Sequence, residues 1–352
     1  MKRRDFSRAL AALSAGAAMS PLEAAPDEPG GSITDVQGVK VGHFTDSRRP
    51  TGCTVLLFEK GATAGVDVRG GSPGTRETDL LNPINTVQQV QAILLAGGSA
   101  FGLDAASGVV RFLEEHRLGY AVGDNVVPIV PAAILYDLRI GDPKIRPTAE
   151  SGYRACQSAT SGRVAEGNVG AGAGATVGNM FGPKQAMKSG LGSASIRVGD
   201  TGIIVGAIVA VNPAGDVVDP KTGKIIAGAR KPDGSGFMDT MARIREGYRV
   251  RADNTNTAIG VVATNVALDK VQATKVAQMA HDGLARTINP VHTPSDGDTI
   301  FAVATGAIAT RANHGSIGAL AADVMAQAVQ RAVMSARGIA GLPSYSDLRL
   351  RG

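Results

Sequence analysis

Apolar residues in this chain come mostly in short runs bounded by glycine, proline, asparagine and aspartate. Runs of that length, rich in Val, Ile and Ala, predict strands at 39–44, 54–58, 64–68, 92–96, 194–198, 202–211, 257–264 and 299–305. The spacing turns helical at 99–116, where Phe101, Ala105, Val109, Phe112 and Leu113 lie near one face, and again at 269–288. A last helix is predicted over 317–336, with Ile317, Ala321, Val324, Ala328 and Ala332 on one stripe whose small residues imply close packing on a sheet. Residues 140–166 are polar and contain prolines, and read as a surface excursion. Residues 219–256, rich in charge and glycine, read as a loop that tolerates a chain break. Strands early and late, with helices on the outside, favour a helix–sheet–sheet–helix layering over a doubly wound sheet.

Composition narrows the function. The 352 residues, 43% hydrophobic and 19% charged, suit a soluble globular protein with a large core. Aromatics are 4%, Trp is absent and there are 46 glycines, so the core must be aliphatic with backbones closely approached, and no stacking surface for nucleic acid is expected. The formal charge is +5, of which residues 1–25 contribute +2, leaving too little for a polyanionic partner. Those residues run Lys2-Arg3-Arg4-Asp5-Phe6, then an Ala/Leu-rich stretch to Met19, then Pro21 and Ala24-Ala25. This order matches a twin-arginine export peptide, too short in its apolar part to be a permanent anchor. The expectation is a periplasmic protein whose folded domain is 26–352. Cys53 and Cys156 cannot be paired from sequence, and the five histidines show no ligand spacing, so no metal or other cofactor is expected.

Candidate chemistry centres on Asp253-Asn254-Thr255-Asn256-Thr257, which runs into the strand at 257–264. Cleavage of the Asn256–Thr257 bond would give Thr257 a free α-amine beside its hydroxyl. With a pKa near ~8, that amine can take the hydroxyl proton without a histidine. Taken alone, the same residues also describe an ordinary loop before a strand. Gly97-Gly98-Ser99, ahead of a predicted helix, form a candidate anion or oxyanion pocket, although Ser99 suits a helix cap equally well. The segment Gly167 to Thr176 is glycine-rich without a dinucleotide fingerprint, and close backbone packing explains it as well as ligand contact does.

Seven segments in order resemble the L-aminopeptidase/D-esterase (DmpA-like) family, which includes the β-peptidyl aminopeptidases. They are Gly52-Cys53-Thr54-Val55, Gly65 to Gly71, Pro73 to Asp79, Gly97 to Leu103, Gly167 to Gly172, Val261 to Thr264 and Asp296 to Phe301. The resemblance implies a four-layer αββα sandwich of the DmpA/ornithine acetyltransferase type, cut by itself into 26–256 and 257–352. It further implies an N-terminal Thr257 nucleophile acting on short peptides, amino-acid amides or esters with a free N-terminus, and a homo-oligomer of the processed pairs. Thr255 is the alternative cut. By the same resemblance Asn212 steadies the oxyanion, Tyr136 lies near the nucleophile, and Asp296 and Asp298 stand where the family has Ser-x-Glu. Ser295 is the other occupant of the Ser position, and Asp-Gly-Asp is equally a plain turn before a strand. Acyl transfer of the ornithine acetyltransferase type, or an uncleaved binding protein, are the alternatives.

Overall fold

The computed structural model describes residues 31–248 and 255–349. The export peptide expected in residues 1–25 lies outside them, as does the Asn254–Thr255 bond. Residues from Gly31 onward form one compact unit.

Nine strands make one sheet. Its order is Leu191–Arg197, Ile204–Asn212, Thr257–Thr264, Thr299–Ala304, Gly52–Val68, Gln89–Ala96, Ala132–Ile134 and Thr75–Arg76, with Lys40–Thr45 also paired to the long strand Gly52–Val68. That strand joins two halves. Thr63 to Val68 pair with Thr299–Ala304, whereas Cys53 to Leu57 pair with Gln89–Ala96. The register shifts between Leu57 and Ala62, and Gly61 within that interval adopts φ +73°, a conformation that favours glycine and turns the strand. The two strands expected at 54–58 and 64–68 are therefore one, because a bulge interrupts the apolar pattern without ending the pairing.

Side-chain alternation turns this sheet into layers. Ile208, Ile259, Phe301, Leu56, Ile93 and Leu95, drawn from both halves, share one core. The opposite parity of one half, Ala207, Val209, Val262 and Ala302, packs against helices Lys270–Thr287 and His314–Met334. The opposite parity of the other half, Cys53, Val55, Ala92 and Leu94, packs against Ala105–Glu115 and Ala149–Gln157. Three cores separate four layers, αββα, as the resemblance implies. Asp269 opens the first of these helices by accepting from Gln272 N–H while the Gln272 side chain accepts from Asp269 N–H, two orphan donors satisfied at once. The small residues of the last helix do bring backbone to backbone: a Cβ on Gly192 would lie 2.1 Å from the Ala328 carbonyl oxygen.

Three expectations change. The helix expected from Ser99 begins as a 3-10 turn, Ser99–Asp104, and becomes α-helical only at Ala105. Residues 140–166 are not simply a surface excursion, since Ala149–Gln157 is a helix whose buried face consists of Ser151, Gly152, Ala155 and Cys156. The stretch after Asp219 holds a short strand, Ile225–Ala227, and a short helix, Thr240–Arg245.

Candidate active site

The sheet brings together at one end what the sequence spreads over 86 positions. Asn212, the last residue of its strand, is the register partner of Thr257, the first residue of the next. The strand Thr299–Ala304 lies parallel on the other side, Ile259 opposite Thr299, so the residues just before Thr299 stand beside Thr257. Asn256 and Asp296 form an isolated parallel bridge there.

At the Asn256–Thr257 bond, a backbone N–H group and the Thr257 hydroxyl converge on the Asn256 carbonyl. The Asn256 carbonyl oxygen accepts from Gly297 N–H at 2.9 Å and from the Thr257 hydroxyl. Both residues are nearly sealed from solvent, at 5% exposure each. Glycine is required at 297, because a Cβ there would stand 2.9 Å from Thr257 Oγ1 and 2.7 Å from the Ser72 carbonyl oxygen. Gly70 serves the same approach from the long strand: a Cβ on it would meet the Asp296 carbonyl oxygen at 2.2 Å.

Asp298 is buried and fully engaged. Its Oδ1 accepts from Ala258 N–H at 2.6 Å, and its Oδ2 accepts from His292 N–H at 3.0 Å and from His292 Nδ1 at 2.8 Å. Asp296 accepts from Thr293 N–H at 2.7 Å, and burial, with the Asp298 charge beside it, pushes its carboxyl up to about 6. Ser295 is buried next to it, and its N–H donates to Thr293 Oγ1 at 3.2 Å. Asn212 uses Nδ2 to donate to the carbonyls of Thr255, at 3.1 Å, and Tyr136, at 3.2 Å, while its Oδ1 accepts from Thr176 N–H. In this uncut chain Asn212 therefore sits one carbonyl upstream of the bond at Thr257. Thr255 itself lies before the strand and accepts from Arg139 Nη2 at 2.8 Å.

A cavity of about 340 Å³ opens next to Thr255 and Asn212, with Tyr136, Arg139, Thr176 and Lys184 in its wall. Gly97, Gly98 and Ser99 are not part of that wall. Their N–H groups are taken up within the fold, by the Gly52 carbonyl, the Asp137 carboxylate and the Leu135 carbonyl respectively. The expected anion pocket at this turn is thus filled by a carboxylate of the chain itself.

Sequence reading passed over four residues here. Gly297 looked like a turn glycine and His292 had no metal-ligand spacing. Asp137, next to Tyr136, is locked by Arg49. Lys188 is wholly buried, donates to the carbonyls of Gly172, Ala175 and Ser189, and burial lowers its amine to about 7. It braces the turn whose Thr176 holds Asn212. In the Gly/Pro/Lys-containing run 182–192 nothing marks this lysine as buried rather than exposed. Among the described residues no cluster of His, Cys, Asp and Glu could hold a metal ion, and no helix is long and apolar enough to cross a membrane.

A hydroxyl against a carbonyl that a rigid N–H already polarises, with two carboxylates alongside, is suited to acyl transfer at that carbonyl. Known proteins agree. The description "Peptidase family S58" matches residues 31–345. An uncharacterised aminopeptidase of Mycobacterium tuberculosis is 44% identical over 344 residues, covering 90% of this chain and 97% of that protein. A 6-aminohexanoate-oligomer endohydrolase of Kocuria is 33% identical over 317 residues, covering 85% of this chain and 84% of the other. The L-aminopeptidase D-Ala-esterase/amidase of Ochrobactrum anthropi, described as a variant of the Ntn hydrolase fold, superposes with a TM-score of 0.65. At 21% identity and 87% coverage of each chain, it supports the fold.

Proposed function

The chain belongs to peptidase family S58 and is a hydrolase acting on peptide-type bonds; on that premise we propose that it cuts itself between Asn256 and Thr257 and then works as an aminopeptidase or amidase through Thr257. What carries the reading is the Asn256 carbonyl, held between the Thr257 hydroxyl and Gly297 N–H.

In self-cleavage Thr257 Oγ1 attacks the Asn256 carbonyl carbon, and negative charge gathers on the oxygen that Gly297 N–H already meets. The C–N bond breaks as the hydroxyl proton passes to Thr257 N, leaving an ester that water opens to an Asn256 carboxylate and a free Thr257 amine. The uncut site holds two neighbouring carboxylates, and Asp296 resists ionising because it is buried and, further, because the Asp298 charge repels its own. A new ammonium at Thr257 relieves this repulsion, so the pair holds and orients the amine it helps to release. Mature Thr257 then attacks a substrate carbonyl with its own amine as base. Asn212, freed from the Thr255 carbonyl, donates to the new oxyanion. The cavity suits short acyl groups: small peptides, amino-acid amides or esters with a free N-terminus. The relatives named 6-aminohexanoate-oligomer endohydrolase are hydrolases by that name, which favours hydrolysis over acyl transfer. The twin-arginine pattern supports a periplasmic location for this activity, and assembly of processed pairs into a homo-oligomer belongs to the same proposal.

N-terminal sequencing of the purified protein is the test. A fragment beginning at Thr257, absent from Thr257→Ala, is expected. An intact wild-type chain, or a fully processed Thr257→Ala, overturns the scheme.

A further inference from the structure

Among the described residues, Asp298 is the carboxylate that hydrogen-bonds the nucleophile's strand, through Ala258 N–H, and two of its three donors there come from a single residue, His292. A charged carboxylate only accepts hydrogen bonds, so the His292 Nδ1 that lies 2.8 Å from Oδ2 carries the proton. Its other ring nitrogen is buried without a partner. Against this ring, centroids 4.7 Å apart and nearly edge-on, lies His281 from the helix Lys270–Thr287. His281 Nε2 is 3.0 Å from the Asp67 carbonyl oxygen, so it is the donor nitrogen, and its Nδ1 is likewise buried without a partner. Burial holds His281 down to about 4, so at ordinary pH it is a neutral wall. The charged groups that face the two rings are Asp298 and Asp296 from the loop that carries His292, and the Asp67–Arg69 pair from the long strand.

We infer that His292, braced by the His281 ring, is a positioning residue for the proposed reaction: it fixes the Asp298 carboxylate against the amino end of the nucleophile's strand. The inference rests on the self-cleaving reading above. The placement explains an otherwise costly arrangement. His292 adopts φ +56°, a left-handed conformation that a β-carbon makes unfavourable, and two buried ring nitrogens stay unmatched. That backbone is what lets one residue present both its N–H and its Nδ1 to the same oxygen.

The left-handed backbone also supplies a clean pair of variants. Glycine and asparagine both tolerate φ +56°, but only asparagine keeps a donor near the position of Nδ1. Two measurements are made on the full-length chain. In the Thr257→Ala background, where no reaction takes place, amide exchange at Ala258 is followed by mass spectrometry. His292→Gly is expected to speed it at least about tenfold by releasing Asp298, and His292→Asn to recover most of the protection. In the Thr257 background, His292→Gly is expected to lower kcat on an amino-acid amide by roughly 10- to 100-fold, the worth of one hydrogen bond to a charged group, with KM changed less than about threefold. His292→Asn is expected to restore most of the rate. Unaltered Ala258 exchange in His292→Gly overturns the inference and leaves the peptidase reading standing. A wild-type chain that is intact and inactive sinks the peptidase reading instead, while the exchange arm still decides whether His292 holds Asp298.

Discussion

Two buried polar clusters, one in the cavity wall and one beside Thr257, are built on opposite plans. In one, Arg49 and Asp137 are completely sealed and paired. Arg49 Nη1 also donates to the carbonyls of Asp137 and Ile140, and Asp137 accepts further from the Thr51 hydroxyl and Gly98 N–H. One cation neutralises one anion and donors fill the remaining Asp137 lone pairs, with Arg49 Nε alone left without a partner in this pair. In the other, the carboxylates of Asp296 and Asp298 repel each other, and among the described residues neither is ion-paired with an arginine or lysine. Asn256 Oδ1 and one nitrogen on each of His281 and His292 are left without partners. A balanced cluster holds a loop in place; here the loop is Tyr136 to Ile140, which walls the cavity. An unbalanced cluster stores unfavourable energy, and a positive charge created at Thr257 N would release it.

The largest effect expected from this contrast is on the balanced side. Arg49→Met leaves the Asp137 carboxylate buried and unpaired, which costs about 3–5 kcal/mol of stability in a denaturant titration. Arg49→Met with Asp137→Leu costs distinctly less, because no stranded charge remains. Equal losses in the single and double variants would mean that Arg49 acts through the carbonyls of Asp137 and Ile140 and that the charge balance is incidental.

Beside Thr257 the two donors proposed for the oxyanion are expected to separate by reaction. Asn212 Nδ2 touches the Thr255 carbonyl in the uncut chain, while Gly297 N–H touches that of Asn256. Asn212→Ala is therefore expected to lower kcat for amide substrates by about 10²–10³-fold, yet to slow self-cleavage far less. Gly297→Ala reverses the pattern. Its Cβ crowds Thr257 Oγ1 and the Ser72 carbonyl, so processing of freshly made chain, followed on a denaturing gel, slows by roughly 100-fold. If both variants impair processing alike, a single donor set serves both steps and the proposed division fails.

How much of this was written in the sequence depends on the length of the signal. The Thr257–Thr264 strand was legible to the residue, since turn-prone polar residues give way at once to β-branched ones. The helix Lys270–Thr287 was legible from its spacing. The helix Ala149–Gln157 was not, because it buries only small residues. Each helix sets a glycine against the backbone of the other, a Cβ on Gly152 lying 1.9 Å from the Ala105 carbonyl oxygen and one on Gly108 at 1.6 Å from that of Ala149. Close packing of this kind erases the large apolar residues that periodicity detects. At the site, Thr257 and Asn212 could be located as strand ends, and the resemblance supplied their pairing. The partnership of Arg49 with Asp137, 88 positions apart, and of His292 with the nucleophile's strand exists only once the sheet has formed. Neither pair has a spacing that a linear reading can weigh, and the Gly97–Gly98 turn misled because an anion-binding loop filled from within looks the same as an empty one.

The smallest expected effect tests the stored energy itself. Asp296 has a carboxyl held at about 6 in the folded chain, above the ordinary value of about 3.9 for an unfolded one. The folded state thus binds this proton more tightly than the unfolded state. The group's stabilising contribution is complete below the unfolded value and disappears as pH rises through about 6. Asp296→Asn cannot ionise, and its side-chain oxygen can still accept from Thr293 N–H. In the uncut Thr257→Ala background it should be more stable than its parent at pH 7 to 8 by about 1–3 kcal/mol, and this advantage should fade to nothing by pH ~4. The same substitution in the Thr257 chain should lower turnover, since the ammonium loses one of its two counter-charges. A variant that gains stability while losing rate is the behaviour expected where repulsion is held in readiness for a charge that arrives later. An Asp296→Asn chain no more stable than its parent at pH 8 would show that the two carboxylates are already reconciled before the bond is cut.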